Sequence, residues 1–198
     1  MAARFEPTPS PLFQDVVTAI VEMSWRPELS VEEIPAPAKI APFSVAISAE
    51  VEVAGDELGS GRLVVLHDPA GSAAWEGEFR CVTYARAEVD AEMAIDPLIT
   101  EVGWSWLLDA LERNQAAYTA PSGTVTTVAS RSFGGIATEG LRAEIELRAS
   151  WTPLIETAVD LVRHLESWGD LVCQTSGLPP LPEGVVPIAS RRASSWLR

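Results

Sequence analysis

Few side chains in this 198-residue chain are suited to act on a ligand. The histidines are His67 and His164, and the cysteines are Cys81 and Cys173. His67 is followed at once by Asp68, a pairing that suits proton transfer. The structural reading competes with it: Asp68-Pro69-Ala70-Gly71 has the residues of a type I turn, with His67 packing its ring at a strand end. Adjacent strand residues point to opposite faces, so His67 and Asp68 are poorly placed to share one reaction centre. His164 has Asp160 four residues before it, the spacing of an ordinary pair on a helix surface. A two-histidine metal site would need both histidines, and zinc-ligand spacing is missing. No metal or cofactor is expected.

The nucleophile patterns also fail. Gly103-Trp104-Ser105-Trp106-Leu107 begins like a serine elbow but lacks the last glycine and lies in a helical pattern. Gly134-Gly135 runs into another strand, so no helix N-terminus meets a phosphate. Cys81 alternates onto an apolar strand face, as a buried inert thiol would. Cys173 lies near a helix C-terminus, where the dipole disfavours a thiolate.

What remains is a polar sheet face and an off-stripe tryptophan. Glu50, Glu52, Glu76, Glu78, Arg80, Arg86, Arg142, Glu144, Glu146 and Arg148 alternate outward along the strands, mixing both signs in a way that suits cross-strand ion pairs. Trp106 falls off its helix's apolar stripe and is placed either to cover a neighbouring segment or to anchor a partner. The candidate ligand- or partner-binding residues are His67, Asp68, Arg80, Tyr84, Arg86 and Trp106; no catalytic residue is assigned.

These residues need elements to position them. Ser10-Pro11 opens a helix with its stripe at Phe13, Val16, Val17, Ile20 and Val21. Pro27, Pro35, Pro37 and Pro42 mark residues 27–42 as an extended linker. From Phe43 the period becomes two, giving strands over 43–53, 57–66 and about 74–88. Asp96-Pro97 starts a second helix ending near Asn114, and strands over 118–132 and 138–151 follow. Thr152-Pro153 then starts a third helix, with Leu154, Ala158, Leu161, Leu165, Trp168 and Val172 as its stripe and Gly177 and Pro179 as its stop. The order helix–three strands–helix–two strands–helix predicts an α+β fold, a five-stranded antiparallel sheet with helices packed on one face. Residues 10–182 form the domain, and 1–9 and 183–198 are expected to be flexible tails.

Composition narrows the partners. Fourteen basic against 28 acidic residues give a net charge of −14. Nucleic acid and anionic membranes are therefore not expected partners. With two cysteines, no signal-like N-terminus and no apolar run of membrane length, a cytoplasmic location is expected.

Several segments carry a resemblance. They are Leu66-His67-Asp68-Pro69-Ala70-Gly71, Phe79-Arg80-x-Val82-Thr83-Tyr84-x-Arg86, Glu101-Val102-x-Trp104-Ser105-Trp106-Leu107, Ala120-Pro121-Ser122-Gly123-Thr124, Arg148-Ala149-Ser150-Trp151-Thr152-Pro153 and Trp168-Gly169-Asp170-Leu171. Together they resemble the actinobacterial family catalogued as domain of unknown function three thousand, over about residues 10–182. The resemblance implies a cytoplasmic actinobacterial protein and no particular activity. In element order the chain is also similar to type III secretion chaperones, small acidic dimers that hold partner chains. The function expected is a non-enzymatic, adaptor- or chaperone-like protein that binds a protein partner and forms a homodimer. The alternative is a small-molecule binder or enzyme using a cup between the sheet and the C-terminal helix.

Overall fold

The computed structural model describes residues 8–37 and 39–181. Apart from Thr8 and Pro9, both expected tails lie outside the described residues. The helices are α1 (Pro11–Glu22), α2 (Ala91–Ala94), α3 (Ile99–Arg113) and α4 (Ala158–Thr175). The strands are β1 (Leu29–Ile34), β2 (Phe43–Val53), β3 (Asp56–Ser72), β4 (Gly77–Val89), β5 (Tyr118–Arg131) and β6 (Leu141–Pro153), with a 3-10 segment at Gly134–Glu139. They form one antiparallel sheet in the order β1-β2-β3-β4-β6-β5.

Among the described residues the sheet has six strands, where five were expected. The extra one, β1, lies inside the proline-rich segment. The window between Pro27 and Pro35 is free of proline, and an edge strand tolerates prolines at its margins. The chain order is therefore helix, four strands, two helices, two strands, helix, which departs from the order behind the chaperone likeness.

Turn chemistry was used differently from expectation in three places. Asp68-Pro69-Ala70-Gly71 stays within β3 as a register shift. Asp68 Oδ1 accepts the Ala70 N–H at 3.0 Å, and Gly71 takes φ +73. The hairpin reverses only after Ser72, whose carbonyl accepts the N–H groups of Trp75 and Glu76. Asp96-Pro97 forms a turn before α3, with Asp96 Oδ1 accepting the Leu98 N–H. Thr152-Pro153 ends β6, and α4 starts later, at a Thr157–Asp160 capping box. Leu154 is consequently exposed and outside the helix stripe. Asp160 serves as the cap, so its expected surface pairing with His164 is replaced. His164 is fully buried and accepts a hydrogen bond from Trp151 Nε1 at 3.1 Å.

The helices lie on one pleat of the sheet. Phe13 of α1 stacks on His67, Trp168 of α4 donates to Thr83, and Gly103 of α3 abuts Val125 and Ile145. α4 crosses the central strands because β3 is glycine there: a Cβ on Gly61 would collide with Val172, and one on Gly59 with Ser176. Trp151, Trp168, Leu161, Leu165 and Leu147 are fully buried between the layers. The edge of this packing is closed by Asp170, which takes Arg113 at 3.1 Å, Asn114 at 3.1 Å and Arg26 at 3.9 Å. Among the described residues no helix is long and apolar enough to cross a membrane.

Candidate functional site

The candidate residues separate onto the two faces of the sheet. His67 faces the helices and is buried. Its ring stacks on Phe79 at 4.2 Å and Phe13 at 5.5 Å between centroids. Nδ1 lies 3.3 Å from the Glu78 carbonyl, which can only accept, so Nδ1 carries the proton. Nε2 therefore accepts from the Ser10 hydroxyl at 2.9 Å, and Ser10 in turn caps α1 through the Phe13 N–H. Burial holds the His67 pKa below its ordinary value, with the Glu78 backbone opposing. This histidine pins the start of α1 to the sheet. Asp68 is used in the β3 register shift, and Trp106 is half-buried against Ala87, Ile99 and Ile145 on the helix side.

Arg80, Tyr84 and Arg86 share the opposite pleat, which no described helix covers. Arg80 is only 7% exposed. Its guanidinium donates from Nη1 to the Ala120 carbonyl and Thr152 Oγ1, each at 2.9 Å. From Nη2 it donates to Ser122 Oγ at 3.1 Å and Ser150 Oγ at 2.7 Å. All four acceptors are neutral, and among the described residues no carboxylate pairs with it. Burial lowers its pKa, with Cys81 and Glu76 opposing. A buried cation held without a counter-ion is unusual, because desolvation is normally offset by an opposite charge.

The backbone builds this cradle. β5 shifts register between Thr119 and Ser122, and Ala120 takes φ +47 there, the left-handed region that non-glycine residues seldom adopt. The shift delivers the Ala120 carbonyl and the Ser122 hydroxyl to the same guanidinium. Thr152 comes from β6 and has its own hydroxyl bonded to the Trp75 carbonyl. Three of the segments that carry the family resemblance thus converge on one side chain.

Above the cradle the sheet surface dips into an open basin of about 610 Å³. Val64, Val82 and Tyr84 supply its apolar area, and Ser122, Thr124 and Ser150 its hydroxyls. Arg62 and Arg148 are its charged lining, and no Asp or Glu is among the described lining residues. Arg148 lies over the Tyr84 ring at 5.3 Å and pairs with Glu146 at 2.7 Å, along the strand instead of across it. Burial raises the Tyr84 pKa, helped by the neighbouring Glu146. Arg62 makes no ion pair among the described residues and is exposed.

Hydroxyl arithmetic adds one more donor. Ser122 and Ser150 both accept from Arg80 and lie 3.2 Å apart. Each hydroxyl has one hydrogen, so one donates to the other and the second is left to face the basin. Sequence reasoning chose Arg80 and Tyr84 but not Arg62, Ser122, Thr124 or Ser150. The signal for the serines was their outward position on the two strands that neighbour each other only through the β6–β5 pairing.

The remaining reactive groups are closed off. Burial pushes the Cys173 thiol up to about 12, and Cys81, fully buried, is pushed higher still. Burial drives the His164 pKa down to about 4. His164 Nδ1 accepts from Trp151, and Nε2 has no partner in hydrogen-bond geometry among the described residues, with the Ala117 backbone opposing the shift.

The fold and site thus define an α+β protein with one sheet face sealed by helices and the other carrying a cationic basin. The chain belongs to the family described as Protein of unknown function (DUF3000), whose model matches residues 9–186. No curated protein and no solved structure matches the chain.

Proposed function

We propose that this is a non-enzymatic binding protein that works through the helix-free face of its sheet, holding a carboxylate-bearing segment of a protein partner in the basin. The observation that carries this reading is Arg80, a buried guanidinium whose acceptors are all neutral and which polarises a serine pair lining the basin. A carboxylate on that pair would accept the spare hydroxyl hydrogen, and Arg62 is free to approach it. The basin is open and continuous with the strand surface, which suits a peptide segment better than an enclosed small molecule. The net charge of −14 repels strongly acidic partners at long range, so the fitting partner presents one or two carboxylates among apolar residues. A small-molecule cup between sheet and α4 has less support, because buried side chains fill that space.

The test is an NMR titration with the peptide acetyl-Val-Glu-Val-Glu-Val-amide. Shifts are expected at Val64, Val82 and Ser150, weakening with added salt. Arg62→Ala should weaken binding about tenfold, a charge-assisted contact of the usual strength. It should change stability by no more than about 0.5 kcal/mol. Absence of shifts on this face, or shifts unaltered by Arg62→Ala, would refute the reading.

A further inference from the structure

The two edges of the sheet are defended differently. An edge strand presents unpaired N–H and C=O groups, which natural proteins blunt with charge, proline, bulges or shortness. β1 has such defences: it is six residues long, carries Glu32 and Glu33, and lies between Pro27 and Pro35. Among the described residues β5 pairs on one side only, with β6, and its Pro121 and register shift lie at its start beside Arg80. From Ser122 to Ser130 it reads Ser-Gly-Thr-Val-Thr-Thr-Val-Ala-Ser, with no charge and no proline.

A second observation lies at the same end. Phe133 and Ile95 are each 74% exposed, and Val128, Ile136, Leu141 and Leu98 are also exposed. Phe133 and Ile136 belong to the β5–β6 connection, and α2, just before Ile95, packs on β5 and β6. Apolar exposure gathered beside an open edge marks an interaction surface.

We infer that the occupant of this edge is a second copy of the chain, with β5 pairing antiparallel to β5 of the partner about a twofold axis perpendicular to the sheet. Charge selects this occupant. Two chains of −14 repel wherever their acidic faces meet, and the uncharged β5 strip lets two copies approach without opposing like charges. An antiparallel edge is also self-complementary under a twofold, as a closed dimer requires. Nine residues at about 3.3 Å each give a seam of roughly 30 Å, flanked by the two apolar shoulders. Both sets of helices fall on one side of the joined sheet and both basins on the other. This inference does not depend on what the basin binds.

Sedimentation equilibrium of the full chain over a wide concentration range tests it, with hydrogen exchange read on residues 122–130. The expected result is a species of twice 21.3 kDa whose β5 amides become more protected as concentration rises. Thr126→Lys/Val128→Lys places four cations at the seam and should weaken the dimer by at least about tenfold. Ile136→Asp, outside the strand, gives an independent weakening should the strand variant misfold. A monomer at all concentrations overturns the inference. So does a dimer unaffected by both variants, or β5 protection independent of concentration, which would assign the edge to this chain's own residues beyond 181.

Discussion

At the β3–β4 pair the two faces of the sheet handle buried polar groups in opposite ways. His67 and Phe79 oppose each other on the inner pleat, and Leu66 and Arg80 on the outer. His67 is held neutral: each ring nitrogen has one partner and aromatic rings stack against it. Arg80 keeps its charge and is surrounded by neutral oxygens, two of them hydroxyls with hydrogens to dispose of. The inner group is saturated and can only hold structure. The outer one transmits its charge through a serine pair to a surface a ligand can reach. A one-residue step along a strand therefore separates a structural polar group from a candidate binding one, and accessible spare hydrogen-bonding capacity distinguishes them better than residue type.

The most damaging test attacks the inner face. Trp151→Ala should cost about 3–5 kcal/mol in denaturant melts, the usual loss for an emptied aromatic site, because Trp151 is fully buried and its indole N–H is spent on His164. A variant that melts like the parent would mean the inner face is not sealed at this corner. Acid sharpens the contrast next. The folded His164 pKa of about 4 lies below the unfolded value of 6.5, so the unfolded chain takes up its proton first. Its contribution is complete above pH 6.5 and is lost as the pH falls toward 4, about 3 kcal/mol over that window. His67 acts in the same direction. His164→Gln, which keeps an acceptor for Trp151, should flatten the stability-against-pH curve in this range; an unchanged curve would rule out buried neutral His164.

The outer face should yield a smaller stability loss and a larger binding loss. Arg80→Met leaves the Ala120 carbonyl and three hydroxyls without their donor and should cost about 1–3 kcal/mol. It should also abolish the peptide shifts expected at Val82 and Ser150. Arg80→Lys should restore little, since an ammonium cannot reproduce the planar fork that reaches four oxygens. Full rescue by lysine would reduce Arg80 to a point charge.

Local periodicity was the reliable part of the sequence. The alternation in β2 and β6 and the Ser10-Pro11 cap of α1 stand as read. Turn chemistry misled, because an Asp-Pro-x-Gly run forms a register shift as readily as a reversal, and only tertiary pairing selects between them. β1 was hidden by the prolines that flank it, which the margins of an edge strand tolerate. The site was half legible. Arg80 was visible as an outward residue, but its burial depends on β5 lying beside β6 and on Ala120 adopting a left-handed backbone, and no local pattern encodes either.

The position of α4 constrains the order in which this molecule can be made. It follows every described strand, yet it rests on the glycine-floored middle of the sheet, against β2, β3, β4 and β6. Until residues 158–175 have been made, the middle of the apolar pleat bearing Ile47, Leu63, Val65 and Leu147 lacks the helix that rests on it. The β4–β6 pairing likewise waits on a long chain excursion. Closure of the core therefore waits on the last described helix, and the many long-range contacts of the sheet favour slow folding. During that interval the uncovered apolar strands are the part of the chain most prone to aggregation.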